Sequence, residues 1–91
     1  MTDRYWKVVG QQWPHILALY EVFASKKPVM LFDLQEQRIY AYPYKQYRAG
    51  LSKRSQASLK KQYEHAIANG EVVVFVRDNE KEKLVSYSVP L

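Results

Sequence analysis

The run Val72 to Val76, reading VVVFV, is the feature that most constrains the fold. Five successive β-branched or aromatic residues with no polar alternate suit a strand covered on both faces, and therefore one that is central in a sheet. Such a strand needs neighbours, and the chain supplies three. Val29 to Leu34 is dense in apolar residues and too short for a comfortable helix, Gln35 and Glu36 fit a turn, and Arg38 to Tyr42 follows with period-two alternation. That alternation sets Ile39 and Ala41 on one face and Arg38, Tyr40 and Tyr42 on the other, and Pro43 closes the strand or confines it to an edge. After the central run, the polar stretch Asp78 to Lys83 reads as a hairpin loop and Leu84 to Val89 as the last strand. Val85, Tyr87 and Val89 form its apolar face, Ser86 and Ser88 its wet one, and Pro90 ends it.

Two helices complete the pattern. Trp13, Ile16, Leu17, Tyr20, Phe23 and Ala24 recur at helical spacing, which predicts a helix from about Pro14 to Ser25 that stops at Lys26, Lys27 and Pro28. Upstream, Trp6 and Val9 extend the same spacing, as though one helix began near Thr2 and kinked or stopped at Pro14. A short strand over Tyr5 to Val9 is the rival reading. The second helix, capped by Ser52 or Ser55, runs to about Asn69, where Asn69 and Gly70 supply a left-handed stop. Leu59, Tyr63, Ala66 and Ile67 point inward, while Arg54, Lys60, Lys61, Glu64 and His65 point out. The expected fold is thus a single α+β domain over residues 1–91, in helix–hairpin–helix–hairpin order. It has about four mostly antiparallel strands with two helices packed on one face. The two helix–hairpin halves are of similar length, which leaves room for a remote duplication, although no repeat of useful fidelity is visible.

Ninety-one residues suffice for one modest core, and eight tyrosines supply large side chains for it. The absence of cysteine excludes disulfides, thiolate metal sites and thiol nucleophiles, and a reducing cytoplasm is the simplest expected location. Residues 1–10 interleave Asp3, Arg4 and Lys7 with aromatics, unlike a signal peptide, and no apolar stretch approaches the roughly 20 residues that span a bilayer.

Signs of catalysis are sparse. His15 and His65 lie far apart without ligand-spaced partners, the three glycines are scattered singly, and the serines at 52, 55, 58, 86 and 88 have no Gly-x-Ser-x-Gly context. Asp33, Glu36 and Asp78 would meet only if the two hairpin loops met in space. No catalytic, cofactor or metal residues are assigned.

Charge is more informative. Residues 45–70 carry Lys45, Arg48, Lys53, Arg54, Lys60 and Lys61 against Glu64 alone, so this stretch holds the whole +5 net charge while the flanking stretches nearly balance. Tyr40, Tyr42, Tyr44 and Tyr47 interleave with Arg38 and the first of these cations. Cations neutralise phosphates and aromatic rings stack on unpaired bases, so the segment 38–61 is read as a nucleic-acid surface for RNA or DNA. The residues assigned to it are Arg38, Tyr40, Tyr42, Tyr44, Lys45, Arg48, Lys53, Arg54, Lys60 and Lys61. The plainer reading is that the tyrosines pack under a helix with their hydroxyls at the rim and the lysines are simply solvated. RNP-type strand motifs, a GXXG loop and a C2H2 finger are absent. A second expectation is a protein-interaction module that pairs with itself or another protein, because two helices and four short strands leave aromatics uncovered. A small basic toxin-like ribonuclease shares only size and charge with this chain.

Overall fold

The computed structural model describes residues 4–91. Its elements are helix α1 (Arg4–Val22), a 3-10 turn (Ala24–Lys26), strands β1 (Pro28–Asp33) and β2 (Arg38–Pro43), helices α2 (Tyr44–Ala49) and α3 (Lys53–Ala68), and strands β3 (Glu71–Asp78) and β4 (Lys83–Pro90). The strands form a sheet in the order β2-β1-β3-β4, with β1 and β3 parallel and both outer pairs antiparallel. The α+β class and the mostly antiparallel sheet are as the sequence predicts. Strand limits differ by a residue or two, and Asp78 belongs to β3 rather than to the loop. No helix among the described residues is long and apolar enough to cross a membrane.

The helices do not share one face. On β1, Met30 and Phe32 join the cluster under α1, which contributes Tyr5, Val9 and Ile16, while Val29 and Leu31 join the cluster under α3, which contributes Leu59 and Ala66. On β3, Val72, Val74 and Val76 face α1, whereas Val73 and Phe75 face α3. The period of two along a strand makes this inevitable, since a run apolar at every position needs cover on both sides.

Helix α1 passes unbroken through Pro14, which excludes the strand over Tyr5 to Val9 and a start at Pro14; a start near Thr2 lies outside the described residues. Tyr5, Val9 and Ile16 are buried in line with half-buried Val8, Trp13, Leu19 and Tyr20, so one apolar stripe runs the length of the helix. Pro14 falls on the exposed side, where the Gly10 carbonyl that loses its N–H donor can turn toward water.

The sequence reading missed α2. Its signal is Tyr44 and Tyr47 at helical spacing, bounded by Pro43 and Gly50, but six residues are too few for periodicity to stand out. Ser52, rather than Ser55, caps α3, accepting a hydrogen bond from the Ser55 amide at 3.3 Å. Ile67 is 45% exposed instead of inward, because the buried edge of α3 runs through Leu59 and Ala66 with Gln62 and Tyr63 beside it.

The two halves match more closely than their sequences do. A two-fold axis along the strands, between β1 and β3, would keep those strands parallel, carry β2 onto β4 and exchange the faces of the sheet. Both exchanged helices and both hairpins fit that operation. The hairpin loops correspond as well. Each begins after a buried aspartate, Asp33 or Asp78, whose carboxylate accepts the amide three residues on, from Glu36 or Lys81. Each ends in a residue with left-handed backbone, Gln37 (φ 51°) or Glu82 (φ 50°).

The packing yields a contrast between two isoleucines. Ile16→Ala should lower the unfolding free energy by about 2–5 kcal/mol, since the side chain is fully buried. Ile67→Ala should change it by less than about 0.5 kcal/mol. Urea denaturation of the two variants measures both.

Candidate functional site

Pro43 ends β2 and leads directly into α2, so the tyrosines of the strand and the helix gather on one side of the sheet. Three of them form a ladder. Tyr40 stacks on Tyr42 with ring centroids 5.9 Å apart, Tyr42 meets Tyr47 at 5.6 Å, and Tyr47 meets the inner Phe75 at 5.3 Å. The Arg38 guanidinium lies 5.6 Å from the Tyr40 ring centre and extends the ladder toward solvent. Tyr40 donates its hydroxyl to the Glu36 carboxylate at 2.6 Å, and chiefly that bond raises its pKa. Burial raises the pKa of Tyr47. Tyr44 stands apart from the ladder and stacks face to face on Tyr63 of α3 at 3.9 Å, tying α2 to α3. All four tyrosines of the expected surface are therefore half-buried: they pack under the helical layer and keep part of each ring open.

The cations lie on the same side. Leu59 and Ala66 anchor α3, which leaves Lys53, Arg54, Lys60 and Lys61 exposed, and Lys45 is exposed on α2. Among the described residues, none of these, nor Arg48, forms an ion pair. Arg48 is half-buried in an open notch with Lys45, Ala49 and Gln56, and its Nε is buried without a hydrogen-bond partner. Arg38 lies at the far end of β2, beside Tyr40 rather than within this group.

A cleft opens between the helical layer and β4. One part, of about 330 Å³, is lined by Leu31, Tyr42, Gln46, Tyr47, Gly50, Leu51, Arg77 and Leu84. It adjoins a second part of about 260 Å³ that shares Tyr47, Leu51 and Leu84 and adds Ser55, Ser58, Leu59, Gln62, Phe75 and Ser86. Sequence reasoning missed Arg77 and Leu84 because each lies in a strand far from the basic segment. Only the sheet brings them beneath α2.

The two hairpin loops do meet, through the carboxylates at their bases. Asp33 accepts the amides of Gln35 and Glu36, each at 3.0 Å, Arg77 Nε at 2.7 Å and Asn79 Nδ2 at 3.3 Å. Asp78 accepts the Tyr5 hydroxyl at 2.7 Å, Gln35 Nε2 at 3.0 Å and the Lys81 amide at 3.4 Å. Gln35 completes the link, its Oε1 accepting the Asn79 amide at 2.7 Å. Both aspartates are held below the usual carboxylate range, Asp33 mainly by the Glu36 amide and Asp78 mainly by the Tyr5 hydroxyl. Carboxylates so fully supplied with donors serve as structural clasps, since at neutral pH neither carries a proton to give and neither is basic enough to take one readily. Glu36 is not part of this clasp through its side chain, which binds Tyr40 instead.

The histidines stay apart from this chemistry. His15 is exposed on α1, and His65 is exposed on α3 with Nε2 3.9 Å from Glu71. Among the described residues no group of three His, Asp or Glu side chains could hold a metal ion. Compared with protein-family models, curated proteins and solved structures, the chain finds no significant match.

The clasps carry a signed pH dependence. A carboxylate with a lowered folded pKa contributes stability that is present above its unfolded pKa of about 3.9 and is lost as pH falls through the folded value. The urea midpoint should therefore be level between about pH 5 and 7 and fall below about pH 4. In an Asp33→Asn, Asp78→Asn double variant it should start lower and fall less.

Proposed function

We propose that this chain is a binding domain for single-stranded nucleic acid, whose contact surface is the outer side of α2 and α3 with the tyrosine edge of β2. One observation carries the reading: Lys45, Lys53, Arg54, Lys60 and Lys61 are exposed on one helical layer, and among the described residues none of them forms an ion pair. Exposed cations without acidic partners can neutralise the phosphates of a strand laid across them. Half-buried Tyr40, at the outer end of the ladder beside the Arg38 guanidinium, adds an aromatic and cationic contact for an unpaired base. Single strands are favoured over duplexes because stacking needs bases that are not already stacked on a helix axis.

Fluorescence anisotropy with labelled single-stranded RNA at two salt concentrations tests the reading. About four phosphate contacts on a single strand should lower affinity roughly fiftyfold between about 50 and 200 mM salt. Lys60→Glu combined with Lys61→Glu should weaken binding by about tenfold or more while leaving the melting temperature within a few degrees, since both residues are exposed. Wild-type binding by that variant would contradict the reading.

A second reading, self-association, is favoured by the two open sheet edges, β2 and β4, and by half-exposed Leu84 on the latter. It requires a mass above that of the monomer in sedimentation at high concentration, and a strictly monomeric profile would remove it.

A further inference from the structure

The cleft between the α2–α3 layer and β4 shares Tyr42 with the surface just described, but its chemistry is different. Its lining is mostly apolar and includes the rings of Tyr42 and Tyr47 together with Leu31, Leu51 and Leu84. One lining side chain, Arg77, is charged. Arg77 is fixed there because its Nε donates to buried Asp33 at 2.7 Å, and Asp33 is itself held by two backbone amides. The terminal amines of that guanidinium make no hydrogen bond among the described residues, and the side chain is 40% exposed, so they remain available to a ligand.

We infer that this cleft seats one unpaired base of a bound strand, with the ring against Tyr42 and Tyr47 and the Arg77 amines on the base edge or its phosphate. Three features select this occupant. Aromatic walls match the flat face of a base, whereas an aliphatic ligand has no need of them. The rim carries amide and hydroxyl groups, from Gln46, Gln62 and Ser58, which both donate and accept as a base edge requires. The charge outside the cleft also has the right sign and place. On α3, Arg54 is four residues before Ser58 and Lys61 three residues after it, so both flank that lining position on the helix surface and can carry the phosphates on either side of a buried nucleotide. The cleft is of the size of small-ligand sites, which start at about 300 Å³.

This inference rests on the nucleic-acid reading, and its test separates the two. The probes are a labelled oligothymidylate of about twelve nucleotides and an abasic strand with the same number of phosphates. Unmodified protein should bind the abasic strand about tenfold more weakly than the thymidylate. Leu84→Glu, at a half-exposed position on the cleft wall, should weaken thymidylate binding about fivefold more than abasic binding. Equal affinity of the unmodified protein for both strands would overturn the base-seating cleft and leave the phosphate surface standing. Equal weakening of both probes by Leu84→Glu would likewise overturn it, as a charge effect without a seated base. Failure to bind either strand would overturn the nucleic-acid reading and this inference together. The comparison of strands needs no variant, so it holds even if a substitution disturbs folding.

Discussion

The pairing of β1 with β3, parallel and dry on both faces, is the constraint from which the rest of the molecule follows. Every residue of β1 is buried, and β3 is buried from Val72 to Val76, so neither strand can tolerate water on either side. One helical layer must therefore lie above the sheet and another below. The hairpin partners β2 and β4 are then left to the outside, where they are the edges. Parallel pairing also aligns the strand ends, with Asp33 opposite Arg77, and so brings the two hairpin loops together. The carboxylate clasps of Asp33 and Asp78 exploit that meeting to tie loop to loop and, through the Tyr5 hydroxyl on Asp78, to tie α1 to the second of them.

Unequal covering of the two faces creates the candidate site. Helix α1 is long and carries one stripe of apolar side chains along its face, whereas the opposite face is covered by a short helix and a longer one joined at Gly50 and Leu51. That second layer stops short of β4, leaving Leu84 half-exposed beside the cleft, and it carries nearly all of the unbalanced positive charge. An aromatic ladder, a basic helical surface and an apolar cleft thus adjoin because one layer of the sandwich is incomplete.

Much of this was legible in the sequence. The unalternating Val72 to Val76 run implied a central strand covered on both sides, and taken at full weight it also excluded two helices on one face. The alternation in β2 correctly separated Ile39 and Ala41 from Tyr40 and Tyr42. Asn69 and Gly70 likewise marked the end of α3, with Gly70 in the left-handed region. What was hidden depends on distant parts of the chain. Whether Pro14 breaks a helix is decided by which side of α1 meets the sheet, and α2 is too short to show a period. Arg77 enters the cleft only through pairing across more than forty residues. Ile67 has helical spacing that suits burial, yet the axis of α3 turns it outward. The buried state of the tyrosines was likewise undetermined, because a strand face with large rings looks the same whether or not a helix covers part of it.

The most direct test of the account is a map of backbone amide chemical shifts as a short single-stranded oligonucleotide is added to the isotope-labelled protein. The account predicts shifts confined to one side of the sheet: the α2–α3 junction around Arg48, the exposed side of α3, the tyrosines of β2, and Leu84 to Ser86 on β4. The α1 face, where Trp6 lies against Tyr87, should be unchanged. Shifts concentrated on α1, or none at all at a concentration well above that of the protein, would contradict it.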